Sequence, residues 1–289
     1  MSIKLPPLAQ IAKEAGDEIL KLQEMIAAEY KTTDGQNPRS GTENIHYKDD
    51  LSPFTTADTR AHEIVVAALS KHFPSVAVLS EEATEQENAI ALKARDRFET
   101  DPLDNTTGYI KGKDGWSVNI GRIVDGVPTE GVIYFPAKQE LYFTGEDGKA
   151  YLRQGDSPPR EISVKKGALR NPLKVAVGFN EQNIEHLGSR QIVAEKHAAQ
   201  QRTCMVATGA YDITGVNKGA NGGFNSYDIA GPHAVLRAAG GEIVTMDKKP
   251  LRYSGESLKV PDHCAGGIDT LVALGLADKE LVKTGQKIG

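Results

Sequence analysis

Two kinds of hydrophobic spacing alternate in the first third of the chain. Apolar residues recur every three or four positions over residues 8–26, which predicts an amphipathic first helix. A second helix is predicted over 59–72, and the apolar run 76–80 is typical of a buried strand that ends at Glu81. Residues 30–50 are polar and lack an apolar period, so we expect a mobile surface loop there.

The pattern changes to short strands between residues 101 and 153. Asp125-Gly126 separates one pair of apolar runs, and Asp147-Gly148 lies in a turn between another pair. Asp-Gly is favoured in the tight turns that join antiparallel strands. We therefore predict a meander of antiparallel hairpins over this segment.

A second change of pattern predicts a domain boundary. Segment 154–161 follows the last hairpin and contains two prolines and a glycine. Beyond it, strands are predicted over 173–179, 203–208 and 242–247, and helices over 181–200 and 228–239. We therefore predict an α+β domain over residues 1–155 and an α/β domain over 156–289, and assign the chain to the α/β class.

Charge, hydropathy and cysteine content indicate which partners, location and cross-links to expect. The formal net charge of −5 argues against binding a nucleic-acid polymer, which needs a surplus of basic residues. No apolar run approaches the roughly 20 residues of a membrane helix, and the first residues do not form a signal peptide, so we expect a cytoplasmic protein without a membrane partner. Cys204 and Cys264 do not suggest a disulfide framework, and we expect reduced, packed thiols.

Four short stretches place carboxylates at the ends of predicted elements. They are SPFTTAD at 52–58, SEEA at 80–83, DPLDNTTGY at 101–109 and SYDIAG at 226–231. Asp101 and Asp104 bracket Pro102-Leu103, so a rigid turn would aim both carboxylates and the Leu103 carbonyl at one point. Clustered acids without clustered histidine or cysteine fit the oxygen ligands that Mg²⁺ prefers. The sequence therefore predicts a magnesium site.

The residues after Asp104 suggest what such a site would bind. Residues 105–107 could open a helical turn whose free backbone amides point at an anion. Two metal ions beside a phosphate would activate a water and stabilise the leaving alkoxide, which indicates hydrolytic phosphoryl transfer. Taken singly, Asp58 and Asp228 could be helix caps, Glu81 could lie in a solvated turn, and 101–104 could be a proline turn. Their joint occurrence favours the functional interpretation.

The four stretches together resemble the inositol monophosphatase superfamily over residues 8–273. Within it, SPFTTAD and the run 101–121, followed by GVIYFP and GKAYL, resemble the 3'(2'),5'-bisphosphate nucleotidases, which remove one phosphate from 3'-phosphoadenosine 5'-phosphate. The resemblance implies a layered αβαβα sandwich, two or three Mg²⁺ ions, inhibition by lithium and a small phosphorylated substrate. It also implies a possible homodimer, as in much of the superfamily.

The resemblance implies specific metal ligands in this chain. Glu81, Asp101 and the Leu103 carbonyl would hold the first metal. Asp101, Asp104 and Asp228 would hold the second. Asp101 would therefore be shared by both ions.

The resemblance also implies which residues perform the chemistry. Asp58 would work with Thr106 to orient and deprotonate the attacking water. The resemblance also implies that Glu81 is a catalytic residue. The backbone amides of Asn105 and Thr106 would hold the phosphate. These assignments cover the reacting phosphate only.

The expected substrate pocket departs from the family pattern. Asn105 and Tyr227 stand where the family usually has glycine and tryptophan. The arginine and the Gly-Pro-Thr run of the bisphosphate nucleotidases are replaced by NGGFNSYD, which is more similar to the inositol monophosphatases, whose hydroxyl-binding glutamate falls at Asn221. We expect Asn221 to contact the substrate, and hypothesise that Lys218 or Arg202 contacts its far end.

Three functions follow from these patterns. The preferred one is magnesium-dependent hydrolysis of 3'-phosphoadenosine 5'-phosphate or a related bisphosphorylated nucleotide. The alternative within the superfamily is an inositol monophosphatase or related sugar phosphatase. An alternative of another class is a metal-binding regulatory protein without turnover, which the departures at Asn105 and Tyr227 motivate.

Overall fold

The computed structural model of the protein contains helices and sheets in alternating layers. It describes residues 3–32, 41–49, 51–178, 184–216, 223–278 and 280. The helices are α1 (Pro7–Thr32), α2 (Thr56–His72), α3 (Glu85–Leu92), α4 (Thr106–Ile110), α5 (Ala199–Ala207), α6 (Ser226–Ala238) and α7 (Ile268–Ala273). The strands are β1 (Ile45–Tyr47), β2 (Pro53–Thr55), β3 (Ala77–Ser80), β4 (Asp96–Asp104), β5 (Ser117–Val124), β6 (Val127–Phe135), β7 (Glu140–Thr144), β8 (Ala150–Gln154), β9 (Arg160–Ile162), β10 (Leu173–Val177), β11 (Ile192–Lys196), β12 (Ile213–Thr214), β13 (Gly241–Thr245) and β14 (His263–Gly267).

Two large sheets carry most of the described strands. The first has seven strands in sequence order from β3 to β9, antiparallel except for the parallel pair β3–β4. The second has five strands in the order β11-β10-β12-β14-β13 and is mixed. The hairpins expected between residues 101 and 153 are therefore confirmed.

Helical layers separate and cover the two sheets. α1 and α2 pack together on one face of the seven-stranded sheet, while α5 and α6 lie between the two sheets. Alternate residues of β10 face opposite layers, because Ala176 packs with the α5–α6 core and Val175 packs with α7. This order of layers confirms the expected αβαβα sandwich. The division into domains 1–155 and 156–289 stays a prediction.

Two elements of the second half were predicted wrongly. The segment 203–208, expected as a strand, belongs to helix α5. This helix lies between two sheets and is buried on most sides, so its sequence lacks a 3.6-residue period. The helix expected over 181–200 is also wrong, because strand β11 pairs in parallel with β10 inside that range. Pairing with a distant strand decided this segment, rather than its local propensity.

Other features of the described chain agree with the sequence. Cys204 and Cys264 are free and buried, as expected. Among the described helices, none is long and apolar enough to cross a lipid bilayer. Of the loop expected over 30–50, residues 33–40 and 50 lie outside the described residues. The expectation is wrong for residues 30–32, which end α1, and for residues 45–47, which form β1.

Glycines let helix α6 pack directly on the seven-stranded sheet. A Cβ atom added to Gly231 would lie 2.2 Å from Asn119 Oδ1 and 2.8 Å from the carbonyl oxygens of Ile120 and Val132. On the opposing strand, a Cβ atom at Gly121 would lie 2.4 Å from the carbonyl carbon of Ala230. Helix and sheet are therefore in backbone contact, which leaves no room for a side chain.

Replacing Gly231 with alanine is expected to destabilise the protein by about 1–3 kcal/mol, because overpacking forces the helix away from the sheet. Urea unfolding would measure the change in midpoint. Gly115→Ala is the matched control, since its new Cβ atom would have no neighbour closer than 3.8 Å. Equal midpoints for the two variants would contradict the backbone contact.

Candidate active site

A cavity of about 670 Å³ opens where the ends of several elements meet. The end of β3, the end of β4, the start of α4 and the first turn of α6 all reach it. The cavity is lined by four acidic residues, namely Glu81, Asp101, Asp104 and Asp228. Carboxylate oxygens of Glu81, Asp101 and Asp228 all lie within 4.8 Å of one another. The structure thus brings the predicted acidic residues together.

The segment 101–104 is the end of a strand rather than the expected turn. Asp101 pairs with Asn119 and Asp104 pairs with Ser117, so β4 takes one residue more than β5 over this interval. Such a β-bulge bends the strand and re-aims its side chains. The backbone N–H of Leu103 donates to Asp101 Oδ1 at 3.0 Å. The bulge therefore lets both Asp101 and Asp104 line the cavity.

Helix α4 begins at the left-handed residue Asn105. Its φ is +65°, and its side-chain Oδ1 accepts a hydrogen bond from the Gly108 N–H at 3.1 Å. Asparagine adopts this conformation more readily than other residues with a Cβ atom, so it can replace a glycine here. Thr106 and Thr107 follow as the first helical residues, and their amides have no partner within the helix. The expected helical turn after Asp104 is confirmed.

Asp58 is buried and uses its two oxygens differently. Oδ2 accepts hydrogen bonds from the Thr55 N–H at 2.7 Å and the Thr55 hydroxyl at 2.6 Å, which completes a capping box at the start of α2. Oδ1 accepts a hydrogen bond from the Thr106 hydroxyl at 3.0 Å. Burial raises the pKa of Asp58 to about 6. Asp58 therefore does more than cap α2, because its second oxygen binds the Thr106 hydroxyl.

Asp228 enters the cavity from the first turn of α6. Its Oδ2 accepts a hydrogen bond from the Asn225 N–H at 2.6 Å, in a second capping box. Asn119 on β5 donates to the carbonyl oxygens of Tyr227 and Asp228, at 3.0 and 2.5 Å. These contacts fix the start of α6 on the sheet that carries Asp101.

Like charges crowd this cavity. Burial and the carboxylates of Glu81 and Asp104 hold the pKa of Asp101 well above its ordinary range. Burial and Asp104 do the same for Asp228, and burial and Glu81 raise the pKa of Asp104 to about 7. Within the described residues, no cation forms an ion pair with Asp101, Asp104 or Asp228. Three of the four carboxylates thus lack an ion pair among the described residues, and an all-oxygen donor set of this kind fits a hard divalent cation.

Lys48 is a site residue that the sequence patterns did not indicate. Its Nζ lies 2.9 Å from Glu81 Oε1 and 3.2 Å from Glu82 Oε1. Burial and the Glu81 carboxylate raise the pKa of Glu82 to about 7. The only signal in the sequence was the position of Lys48, shortly before SPFTTAD.

The residues expected to contact the far end of the substrate are only partly described. Lys218 and Asn221 lie outside the described residues. Arg202 lies in α5, where only 7% of its surface is exposed and burial lowers its pKa to about 10. The cavity is lined instead by residues 198–200 at the start of α5 and by Lys259, which sequence reasoning missed because they belong to no motif.

The fold and the acidic cavity are those of a phosphatase family, and comparison with known proteins identifies which one. The model of the inositol monophosphatase family matches residues 7–273, so the chain belongs to that family. Its named relatives include bisphosphate nucleotidases and inositol monophosphatases, which are phosphoric monoester hydrolases. The chain is an enzyme of this class.

Individual relatives cover most of the chain. The 3'(2'),5'-bisphosphate nucleotidase CysQ of Escherichia coli K12 is 30% identical over 259 residues, which cover 86% of this chain and 94% of CysQ. Inositol monophosphatase 1 of Solanum lycopersicum is 26% identical over 209 residues, covering 70% of this chain and 75% of that protein. The crystal structure of CysQ from Bacteroides thetaiotaomicron has a TM-score of 0.70 at 27% identity, covering 90% of this chain and 96% of that one.

Proposed function

We propose that this protein is a magnesium-dependent phosphatase that removes one phosphate from 3'-phosphoadenosine 5'-phosphate or a related bisphosphorylated nucleotide. The observation that carries the proposal is the acidic cluster of Glu81, Asp101 and Asp228, whose oxygens lie within 4.8 Å of one another beside the start of α4. The bisphosphate nucleotidases among its relatives support this choice of substrate.

Two or three Mg²⁺ ions would be held by the acidic residues. Glu81, Asp101 and the Leu103 carbonyl would bind one ion, and Asp101, Asp104 and Asp228 would bind another. When bound, such ions supply the positive charge that acidifies a water molecule and stabilises a leaving oxygen. Lys48 would give up its contact with Glu81 to the ion, because both bind the same carboxylate.

The water that attacks phosphorus would be positioned by Thr106. Its hydroxyl lies 3.0 Å from Asp58 Oδ1, and Asp58 is itself fixed by Thr55. With a pKa of about 6, Asp58 is mainly ionised at neutral pH and can accept a proton through the Thr106 hydroxyl. The amides of Asn105 and Thr106 would bind the phosphate oxygens.

Replacing Thr106 with valine is expected to lower kcat by about 10²–10³, the range typical of a lost general-base contact. The change keeps the shape of the side chain but removes the hydroxyl, and Thr106→Ser should restore most of the rate. Steady-state phosphate release would measure both effects. Thr59→Val is a control, since Thr59 is exposed next to Asp58 on α2. Unchanged kcat in the valine variant would contradict the role of this hydroxyl.

Arg202 would bind the second phosphate of the nucleotide. It lies one helical turn after residues 198–200 of the cavity wall, and long side chains on a helix lean toward its N-terminus. Its Nε is buried without a hydrogen-bond partner in the described part of the chain. A buried guanidinium without a counter-charge is costly, and a phosphate dianion would supply the missing acceptor.

Replacing Arg202 with alanine is expected to raise KM for 3'-phosphoadenosine 5'-phosphate by about 10–100-fold, the value of one charge-assisted hydrogen-bond pair. KM for p-nitrophenyl phosphate should stay the same, because this substrate has no second phosphate. The KM of Arg202→Lys for the bisphosphate should lie between those of the unmodified protein and Arg202→Ala. If Arg202→Ala leaves the KM of the bisphosphate unchanged, the far end of the substrate is bound elsewhere.

Parallel assays of 3'-phosphoadenosine 5'-phosphate and inositol 1-phosphate with magnesium test the proposed function itself. A strong preference for the nucleotide would support it. Preferential turnover of inositol 1-phosphate would favour the inositol or sugar phosphatase instead. If neither substrate is hydrolysed, two explanations remain: the enzyme acts on another substrate, or the protein is a regulatory protein without turnover.

Several properties of the whole molecule stay predictions. We expect a cytoplasmic location, and sedimentation equilibrium would test the possible homodimer that the resemblance implies. We also expect no nucleic-acid polymer among its partners. Limited proteolysis between residues 154 and 161 would test the division into two domains.

A further inference from the structure

A second cavity, of about 450 Å³, lies at the opposite end of strand β4 from the acidic cluster. β4 begins at Asp96 beside this cavity, and Asp101 follows five residues later, roughly 17 Å along an extended strand. Three chain segments form the walls: residues 92–95 and 97 from the end of α3 to the start of β4, the β5–β6 turn, and residues 252–255 between β13 and β14. The cavity shares no lining residue with the active site.

Close backbone contacts hold these walls together. Gly255 has a φ of +79°, and a Cβ atom there would lie 2.8 Å from the Leu92 carbonyl oxygen. Gly126 has a φ of +75°, and its carbonyl oxygen accepts a hydrogen bond from the Tyr253 N–H at 3.1 Å. Both positions favour glycine, because other residues rarely adopt this conformation. The cavity is therefore built into the packing of the three segments.

Positive charge dominates the cavity wall. Its lining includes four cations and one carboxylate, namely Lys93, Arg95, Arg97, Arg252 and Asp125. Arg95 Nε lies 2.5 Å from Asp125 Oδ1, so the one carboxylate is already paired. Among the described residues, Lys93 and Arg252 form no ion pair with any carboxylate. This excess of positive charge stands out in a chain whose net charge is −5.

Arg97 gives the cavity a fixed, buried guanidinium. Only 2% of its surface is exposed, and it lies 2.7 Å from Glu99, which is fully buried. It also donates to the Ala94 carbonyl oxygen at 2.9 Å and approaches the Tyr253 carbonyl oxygen at 3.4 Å. These contacts join two of the cavity walls. Arg95, Lys93 and Arg252 remain as the cations that can move to a ligand.

We propose that this cavity binds a small molecule through a phosphate group. A guanidinium presents its N–H groups in a fork that matches phosphate oxygens, and the compact Lys93 ammonium adds a further charge. Arg95 would leave Asp125 and bind the phosphate, while Arg252, which has no carboxylate partner among the described residues, would gain an anionic one. Leu92 and Ala94 in the wall offer apolar surface to the organic part of the ligand.

Isothermal titration of the full-length protein with inorganic phosphate tests this site. Binding is expected both with magnesium and after EDTA treatment, because the cavity contains no proposed metal ligand. The double variant Arg95→Ala/Arg252→Ala should weaken this binding by about tenfold or more, as expected for lost charge-assisted hydrogen bonds. Lys71→Ala, which removes an exposed cation from α2, should have no effect.

The variant Asp125→Asn should change the affinity for phosphate in the opposite direction. Removing the one carboxylate of the wall frees Arg95, so phosphate should bind more tightly, an effect that misfolding would not produce. Titration with adenosine 5'-monophosphate instead of inorganic phosphate distinguishes an organic phosphate ligand from the inorganic ion. Tighter binding of the nucleotide supports an organic phosphate, and equal binding supports the inorganic ion. Loss of all binding in EDTA, or equal binding by the double variant and the unmodified protein, would overturn the proposal.

Discussion

Asp101→Asn is expected to lower the rate of phosphate release by about a thousandfold or more, because it weakens both proposed metal sites at once. The residue is 4% exposed, and one of its carboxylate oxygens lies within 4.8 Å of oxygens of Glu81 and Asp228. An amide keeps the shape but supplies no charge, and losing several kcal/mol of electrostatic stabilisation corresponds to such a factor. Phosphate release from 3'-phosphoadenosine 5'-phosphate at saturating magnesium would measure it.

The same substitution is expected to stabilise the protein when magnesium is absent. Asp101 is then a buried carboxylate among Glu81, Asp104 and Asp228, which all raise its pKa. Replacing it with a neutral amide removes this repulsion. Thermal unfolding in EDTA should therefore show a higher Tm for Asp101→Asn than for the unmodified protein.

Asp156→Asn provides the control for both measurements. Asp156 is fully exposed and, within the described part of the chain, forms an ion pair with Arg153 alone, so neither activity nor Tm should change appreciably. A lower Tm for Asp101→Asn in EDTA would contradict the crowding of charge. Full activity of Asp101→Asn would exclude it as a shared metal ligand.

Without magnesium, the protein is expected to become less stable as the pH rises from about 4 to 7. Burial raises the pKa of Asp58 from 3.8 to about 6, and it raises those of Glu82 and Asp104 to about 7. The folded state therefore binds more protons than the unfolded state in this window. Stability is full below the unfolded pKa near 4 and is lost as the pH rises through the folded values.

The expected loss is large enough to measure. For Asp58, a rise of about two pKa units corresponds to a change on the order of 3 kcal/mol in the free energy of unfolding. Saturating magnesium should reduce this pH dependence, because a bound cation favours the ionised carboxylates around it and metal binding releases protons. The stabilisation by magnesium should therefore grow with pH.

Thermal unfolding at pH 5.5, 6.5 and 7.5, with EDTA and with saturating magnesium, would measure the effect. In Asp101→Asn, the difference in Tm between EDTA and saturating magnesium should be smaller, since one of the interacting carboxylates is missing. The same pH dependence with and without magnesium would contradict the expectation that a bound cation favours the ionised form of these carboxylates.

Part of the site could be predicted because each carboxylate lies in a local motif. Asp58, Glu81, Asp101 and Asp228 each lie within a few residues of an element boundary, and capping and strand ends leave signals in the sequence. These signals do not determine distances between motifs. The β-bulge between Asp101 and Asp104 depends on pairing with β5, which no local pattern records.

The sequence by itself determined the elements whose burial is one-sided or regular. Helix α1 has one apolar stripe, and Asp125-Gly126 and Asp147-Gly148 separate the apolar runs of β5 to β8, so these signals are visible without any partner. The acidic motifs and their order along the chain were also sufficient to indicate a family and a magnesium site.

Only the tertiary structure decided what depends on contact between distant segments. Helix α5 is enclosed by two sheets and therefore has no period, and β11 is a strand because β10 pairs with it. Lys48 reaches Glu81 from 33 positions away, and the basic cavity joins Arg95, Asp125 and Arg252 from three segments. These contacts come from long-range packing, whose geometry a local pattern of hydrophobic and polar residues does not encode.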